Sequence, residues 1–155
     1  MGVVTSVTES AFKQTAEQVY DYVSNPGNWP SAYPGSTDEE GLPKHFPLKV
    51  GDIWVETGPR GERYTWQVTI AVRPRTWGCT TIGPIGHDRE GKGGVEGRIN
   101  IHYRFLRPGG DVTIFQRTMS VETYQESPMP DSVFASMNPT QPEKYFAAIK
   151  KALES

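Results

Sequence analysis

The sequence predicts an α+β domain, a curved antiparallel sheet of about six to seven strands wrapped around a long C-terminal helix, with two short helices after the first strand. Three observations predict it. Runs rich in Val, Ile, Thr and aromatic residues follow one another between residues 53 and 124, separated by turns containing Gly and Pro. Turns that short make successive strands antiparallel neighbours. The C-terminal segment carries Tyr145, Phe146, Ala148, Ile149, Ala152 and Leu153 as an apolar stripe at helical spacing.

Residues Val3 to Ser10 alternate apolar and hydroxyl-bearing or charged side chains, the pattern of a strand with one half-buried face. Thr15-Ala16-Glu17-Gln18 is a capping box that opens a helix with Ala16, Val19, Tyr20 and Val23 on one face, stopped by Asn25-Pro26-Gly27. The next segment, Asn28 to Gly35, holds two prolines and two large aromatics, which permits at most a turn of helix with aromatic anchors. From Ser36 to Pro47 the chain is polar and broken by Gly41, Pro43 and Pro47, leaving room for one short edge strand.

Strands are then expected at Ile53 to Thr57, Arg63 to Val72, Thr76 to Ile82, Val95 to Leu106 and Val112 to Tyr124. The last two exceed the usual strand length of ~5 to 6 residues, and strands that long curl to stay packed. A loop with Pro128, Pro130 and Pro139 leads to a second capping box, Thr140-Gln141-Pro142-Glu143, and the final helix. At 155 residues the chain fits one domain over residues 1–155, since domains commonly run to roughly 100 to 200 residues.

Net charge −2 and a pI near 5.9 remove the electrostatic basis for holding a nucleic-acid backbone, so no nucleic-acid partner is expected. No stretch reaches the ~18 apolar residues of a membrane span, and the start of the chain has neither a basic leader nor a continuous apolar run, which points to a cytoplasmic protein. Cys79 is the single cysteine, so no internal disulfide can form; in a strand of neutral residues it reads as a small buried apolar side chain.

The helix "Ala-Glu-Gln-Val-Tyr-Asp-Tyr-Val" running into "Asn-Pro-Gly-Asn-Trp-Pro" at residues 16–30, "Val-Gly-Asp-Ile-Trp" at 50–54 opening a strand, and a capped helix at 140–154 closing the chain together resemble the SRPBCC superfamily, also called START-like or helix-grip. Within it the likeness is to the polyketide cyclase/dehydrase and lipid-transport branch. The resemblance covers nearly the whole length. It implies a pocket between the sheet and the C-terminal helix, entered beside the strand-connecting loops, and it carries over no catalytic set, because branches of the superfamily use different pocket residues.

Gly86-His87-Asp88-Arg89-Glu90-Gly91-Lys92-Gly93 has the spacing of a phosphate loop but ends in Gly where a Ser or Thr is needed. Asp88 and Glu90 place negative charge where phosphates would sit, and a strand follows rather than a helix. The glycine-rich stretch from Gly83 to Gly94 instead reads as a connection between strands and a gate over the pocket. His45, His87 and His102 have no ligand spacing, so no metal is expected. His102 falls on the polar face of its strand. His87, at the pocket mouth, is a candidate for moving protons near neutral pH, or else a plain loop histidine.

Trp54 and Glu56 share a strand face, as do Tyr64, Trp66, Val68, Ile70 and Val72 on the next strand. Phe115, Arg117, Met119 and Val121 alternate likewise on the last one. If these faces are inward, Glu56 is a buried carboxylate and Arg117 an inward cation that pairs with it or grips an anionic ligand group. If they are outward, both are ordinary solvated charges. Trp29, Tyr33, Trp54, Trp66, Tyr103, Met119, Tyr124, Phe134 and Met137 are candidates for the lining of an apolar cavity.

The function expected is therefore a pocket for a small hydrophobic, aromatic or polycyclic molecule. As an enzyme of natural-product or aromatic metabolism it would carry out cofactor-free cyclisation, dehydration or isomerisation, with Glu56, Tyr64, His87 or Arg117 moving protons or stabilising an enolate. The alternative is a carrier with the same cavity and no chemistry. A monomer or homodimer is expected.

Overall fold

The computed structural model of the chain describes residues 2–33, 35–87, 90–124, 129–137 and 140–154. The elements run β1 (Gly2–Phe12), α1 (Ala16–Val23), a 3-10 turn (Pro26–Asn28), α2 (Trp29–Ala32), β2 (Asp38–Glu40), β3 (Ile53–Thr57), β4 (Arg63–Val72), β5 (Thr76–Ile85), β6 (Val95–Gly109), β7 (Val112–Thr123), α3 (Asp131–Ser136) and α4 (Thr140–Glu154). The sheet has seven strands in the order β1-β7-β6-β5-β4-β3-β2, and every neighbouring pair is antiparallel. From β2 to β7 the chain meanders, each strand beside the previous one, as the short turns require. β1 closes the far edge by pairing with β7 along its whole length.

The Thr15 capping box forms on both sides, with Gln18 N–H donating to Thr15 Oγ1 at 3.2 Å and Thr15 N–H donating to Gln18 Oε1 at 2.9 Å. The second capping box rests on the side chains of Thr140 and Glu143, and that of Thr140 lies outside the described side chains. α3 was not expected from the sequence. Pro130 and the Asn138-Pro139 pair flank a stretch just long enough for a six-residue helix, and flanking prolines are compatible with a helix that their presence inside would break. A further departure lies in β4. The β4–β5 register shifts between Val68 and Ile70, and beyond that bulge the inward face is lost, so Val72 is exposed rather than aligned with Trp66 and Val68.

Aromatic contacts join the layers. α4 lays Tyr145, Phe146 and Ile149 on the inner face of the sheet, with Phe146 meeting Phe12 and Phe115 edge-on. Tyr20 of α1 packs on Phe105 of β6 at 5.2 Å. Trp29 of α2 stands edge-on against Trp54, Trp66 and Trp77, and its indole N–H donates to the Val23 carbonyl at 2.9 Å. That bond fixes α2 against the end of α1. No described helix is long and apolar enough to cross a membrane.

Candidate functional site

Between the inner face of the sheet and the helices α2, α3 and α4 lies a cavity of about 350 Å³. Alternation along β6 and β7 supplies most of its floor, because residues two apart share a face. Ile99, Ile101 and Tyr103 come from β6, and Arg117, Met119 and Val121 from β7. Trp29, Tyr33, Val133 and Tyr145 cover it from the helical side. Glu56, Tyr64, Trp66, Ile85 and Gly86 form the wall beside the loops, where Pro59, Arg60 and Glu62 of the β3–β4 turn also reach it. The lining is mainly apolar with a few ionisable groups, the usual makeup of a small-molecule site.

Glu56 points inward at 7% exposure. Its Oε1 accepts from Trp66 Nε1 at 3.1 Å, and its Oε2 accepts from Ser36 Oγ. Across the sheet edge its register partner is Glu39 of β2. Glu39 Oε2 in turn accepts from Trp54 Nε1 at 2.9 Å. Trp54 and Trp66 are themselves register partners with nearly parallel rings, so two stacked indoles each serve one carboxyl of the pair. Burial, and then the neighbouring Glu56 charge, push Glu39 up to about 9. Glu56 is also raised, since burial outweighs the hydrogen bonds from Ser36 and Trp66 that favour its charge. Two carboxyls this close cannot both ionise cheaply, and they titrate as a unit that keeps a proton at neutral pH.

Arg117 faces the same cavity at 6% exposure. Its guanidinium carbon lies 5.3 Å from the Tyr33 ring centre and 5.8 Å from that of Tyr145. Burial opposes its charge, but the hydroxyls of Tyr33, Tyr103 and Tyr145 outweigh burial and keep it protonated. Among the described residues the ion pairs do not join Glu56 to Arg117. Burial raises Tyr103 to about 12.

Tyr64 is the register partner of Glu56 on β4. Its hydroxyl accepts from Gly86 N–H at 3.4 Å, and burial raises its pKa. The His87 ring packs edge-on against Tyr64 at 5.7 Å, with Nδ1 buried and without a hydrogen-bond partner among the described residues. His87 therefore stands behind Tyr64 rather than in the cavity wall. β5 continues through Gly83 to Ile85 and pairs Ile85 with Val95, so the glycine-rich segment is the tip of a hairpin entering a strand, which no phosphate loop does. Asp88 and Arg89 within that tip lie outside the described residues.

Of the nine residues expected to line the interior, Trp29, Tyr33, Trp66, Tyr103 and Met119 do so. Trp54 is buried but sits behind Trp66, and Met137 packs against the core without reaching the cavity. Two expectations are corrected. Tyr124 is 45% exposed, because it follows the inward Thr123 and falls on the opposite parity beyond the end of β7. Phe134 is 53% exposed, because its neighbour Val133 takes the inward position of α3. His102 does lie on the outer face, yet it is half-buried and shares a 2.6 Å hydrogen bond with Thr76 Oγ1.

Sequence reasoning missed Glu39 and Ser36, since neither pattern nor spacing marks an inward carboxylate within Asp38-Glu39-Glu40. It also missed Ile99 and Ile101 as lining, although both share the alternation that placed Tyr103 inward. Among the described residues no group of three or more His, Cys, Asp or Glu side chains is arranged to hold a metal ion.

The carboxyl pair has a consequence for stability. Glu39 holds its proton in the folded chain up to about 9, against an ordinary value of 4.5. Between those values the folded state binds more protons than the unfolded state, so stability falls as pH rises and levels off above the upper value. The melting temperature is expected to drop by roughly a few degrees between pH 5 and pH 9, the effect being reduced by the partial solvation of Glu39. Glu39→Gln is expected to flatten that slope. A slope identical in the variant, measured by differential scanning calorimetry, would assign the pH dependence to other groups.

No family model matches the chain, and no curated protein is similar to it in sequence. Solved structures are similar over nearly its whole length. Ara h 8.0201 aligns with a TM-score of 0.68 at 15% identity, covering 98% of both chains. A START superfamily protein from Mycobacterium smegmatis aligns with a TM-score of 0.67 at 13% identity, covering 97% of both. Ginseng major latex-like protein 151 from Panax ginseng gives 0.61 at 10% identity, covering 98% of this chain and 95% of that one. With its curved seven-stranded sheet closed by a C-terminal helix, the chain has the helix-grip fold of the START-like proteins.

Proposed function

We propose that the chain takes a small hydrophobic, aromatic or polycyclic molecule into this cavity and acts on it as a cofactor-independent acid/base catalyst of the cyclase, dehydratase or isomerase kind. The observation that carries this reading is the buried Glu39–Glu56 pair, with Glu56 open to the cavity and Tyr64 beside it. A carrier needs only apolar walls. A carboxyl raised by burial is how a base is poised for work near neutral pH.

In this reading Glu56 removes a proton from a carbon next to a substrate carbonyl, and the electron pair moves to the carbonyl oxygen as an enolate. The Tyr64 hydroxyl donates to that oxygen, and Arg117 supplies the positive charge of the site. For a dehydration, the proton then passes from Glu56 to the departing hydroxyl, which leaves as water. Glu39 holds the proton that the pair keeps and stabilises the Glu56 carboxylate between steps. His87 positions Tyr64 through their edge-on contact.

The test is whether protein purified from its own host retains a small molecule and converts it. Conversion to an isomer or to a product one water lighter supports the enzyme. A compound retained and returned unchanged would establish the carrier instead.

A further inference from the structure

Among the described residues Arg117 carries a charge that no carboxylate meets at ion-pair distance, although the Tyr103 hydroxyl interacts with it and the Glu56 carboxyl across the cavity feels it. A guanidinium has five N–H donors in a fixed planar fork and no acceptor. Nη2 donates to Met119 Sδ at 3.6 Å, a weak acceptor, and Nε is buried with no hydrogen-bond partner among the described residues. Among the described residues no carboxylate forms an ion pair with it. Keeping a buried cation without a counter-ion is costly, and structures normally pair or remove such a group. Here its surroundings preserve it. The rings of Tyr33 and Tyr145, edge-on to each other at 5.7 Å, lie together on one side of the guanidinium, and the hydroxyls of Tyr103 and Tyr145 meet at 3.4 Å beside the same wall.

We propose that this corner of the cavity is a subsite for the carboxylate of an aromatic acid. The idea rests on the cavity reading above and narrows its ligand to that class. A planar carboxylate matches the guanidinium fork with two parallel hydrogen bonds. The edge-on pair of tyrosine rings beside the guanidinium, 5.7 Å apart, suits an aromatic body attached to it. A phosphate is disfavoured, because a second negative charge would face a single guanidinium in a cavity that already holds the Glu56 carboxyl. At about 350 Å³ the cavity lies at the small end of ligand sites, roughly 300 to 1,000 Å³, which suits a body of one or a few rings.

Isothermal titration of the wild-type protein with naphthoate and with naphthamide, its neutral counterpart of nearly equal shape, tests the subsite without any variant. Naphthoate is expected to bind roughly tenfold or more tightly than naphthamide. In Arg117→Met, which keeps the apolar stem and removes the fork, the preference is expected to vanish or reverse. Equal or weaker binding of the acid by the wild type would overturn the anionic subsite while leaving the cavity reading intact. An acid preference that survives in Arg117→Met would overturn the assignment to Arg117. Binding of neither compound would remove the cavity reading, and the subsite with it.

Discussion

Glu56→Gln is expected to lower turnover by about a hundred- to ten-thousandfold, the span over which a positioned acid/base group contributes. Ligand affinity is expected to stay within a few-fold of wild type. The two effects separate because the amide keeps the shape of the side chain, its oxygen can still accept from Trp66 Nε1 while its NH2 donates to Ser36 Oγ, but it cannot take up a proton. The melting temperature is expected to hold or rise, since the substitution removes a carboxyl whose ionised form burial opposes. Single-turnover kinetics on the compound that the protein converts, with affinity measured in parallel, checks both halves. Unchanged turnover would remove Glu56 from the chemistry.

Phe115→Ala is expected to carry the largest loss of stability, about 3 to 5 kcal/mol, as is common for a fully buried phenylalanine. Phe115 is wholly buried and joins the layers. Its ring lies 5.0 Å from Tyr103, 5.3 Å from Phe105, 5.5 Å from Phe146, 6.1 Å from Phe12 and 6.3 Å from Tyr145. Truncation leaves a void where β1, β6, β7 and α4 meet, and the melting temperature should fall by roughly 10 °C. Phe115→Leu, which refills much of that volume, should cost markedly less. Urea denaturation measures both variants, with a lowered midpoint and an unchanged slope expected for each. Equal losses in the two variants would mean that ring contacts, rather than volume, hold this junction.

The element order was legible because each piece of it is written locally. Alternation marked the strands, turn residues their ends, and Thr15 and Gln18 the start of α1. Turns of a few residues left little choice but an antiparallel meander. What could not be read depends on pairing between distant segments. Glu39 lies in a run of three acidic residues with no apolar neighbour to distinguish its two faces, and only its register with Glu56 turns it inward. The orientation of Glu56 is open in the sequence for the same reason, and the pairing of β3 on both sides settles it. The sequence pattern puts Arg117 on one face with Phe115 and Val121 but leaves open whether that face points inward, and its lack of a carboxylate partner among the described residues is not legible there either. Tyr124 and Phe134 read as inward only by being aromatic. Parity along β7 and the choice of Val133 on α3 override residue type.

Native mass spectrometry of the protein purified from its own host decides whether the space between the sheet and α4 holds a small apolar molecule on which the Glu56 side chain acts. The predicted result is one added small-molecule mass per chain, released on unfolding and altered when the released compound is returned to wild-type protein but not to Glu56→Gln. A chain that carries no added mass, and takes up none after equilibration with aromatic compounds, would contradict it.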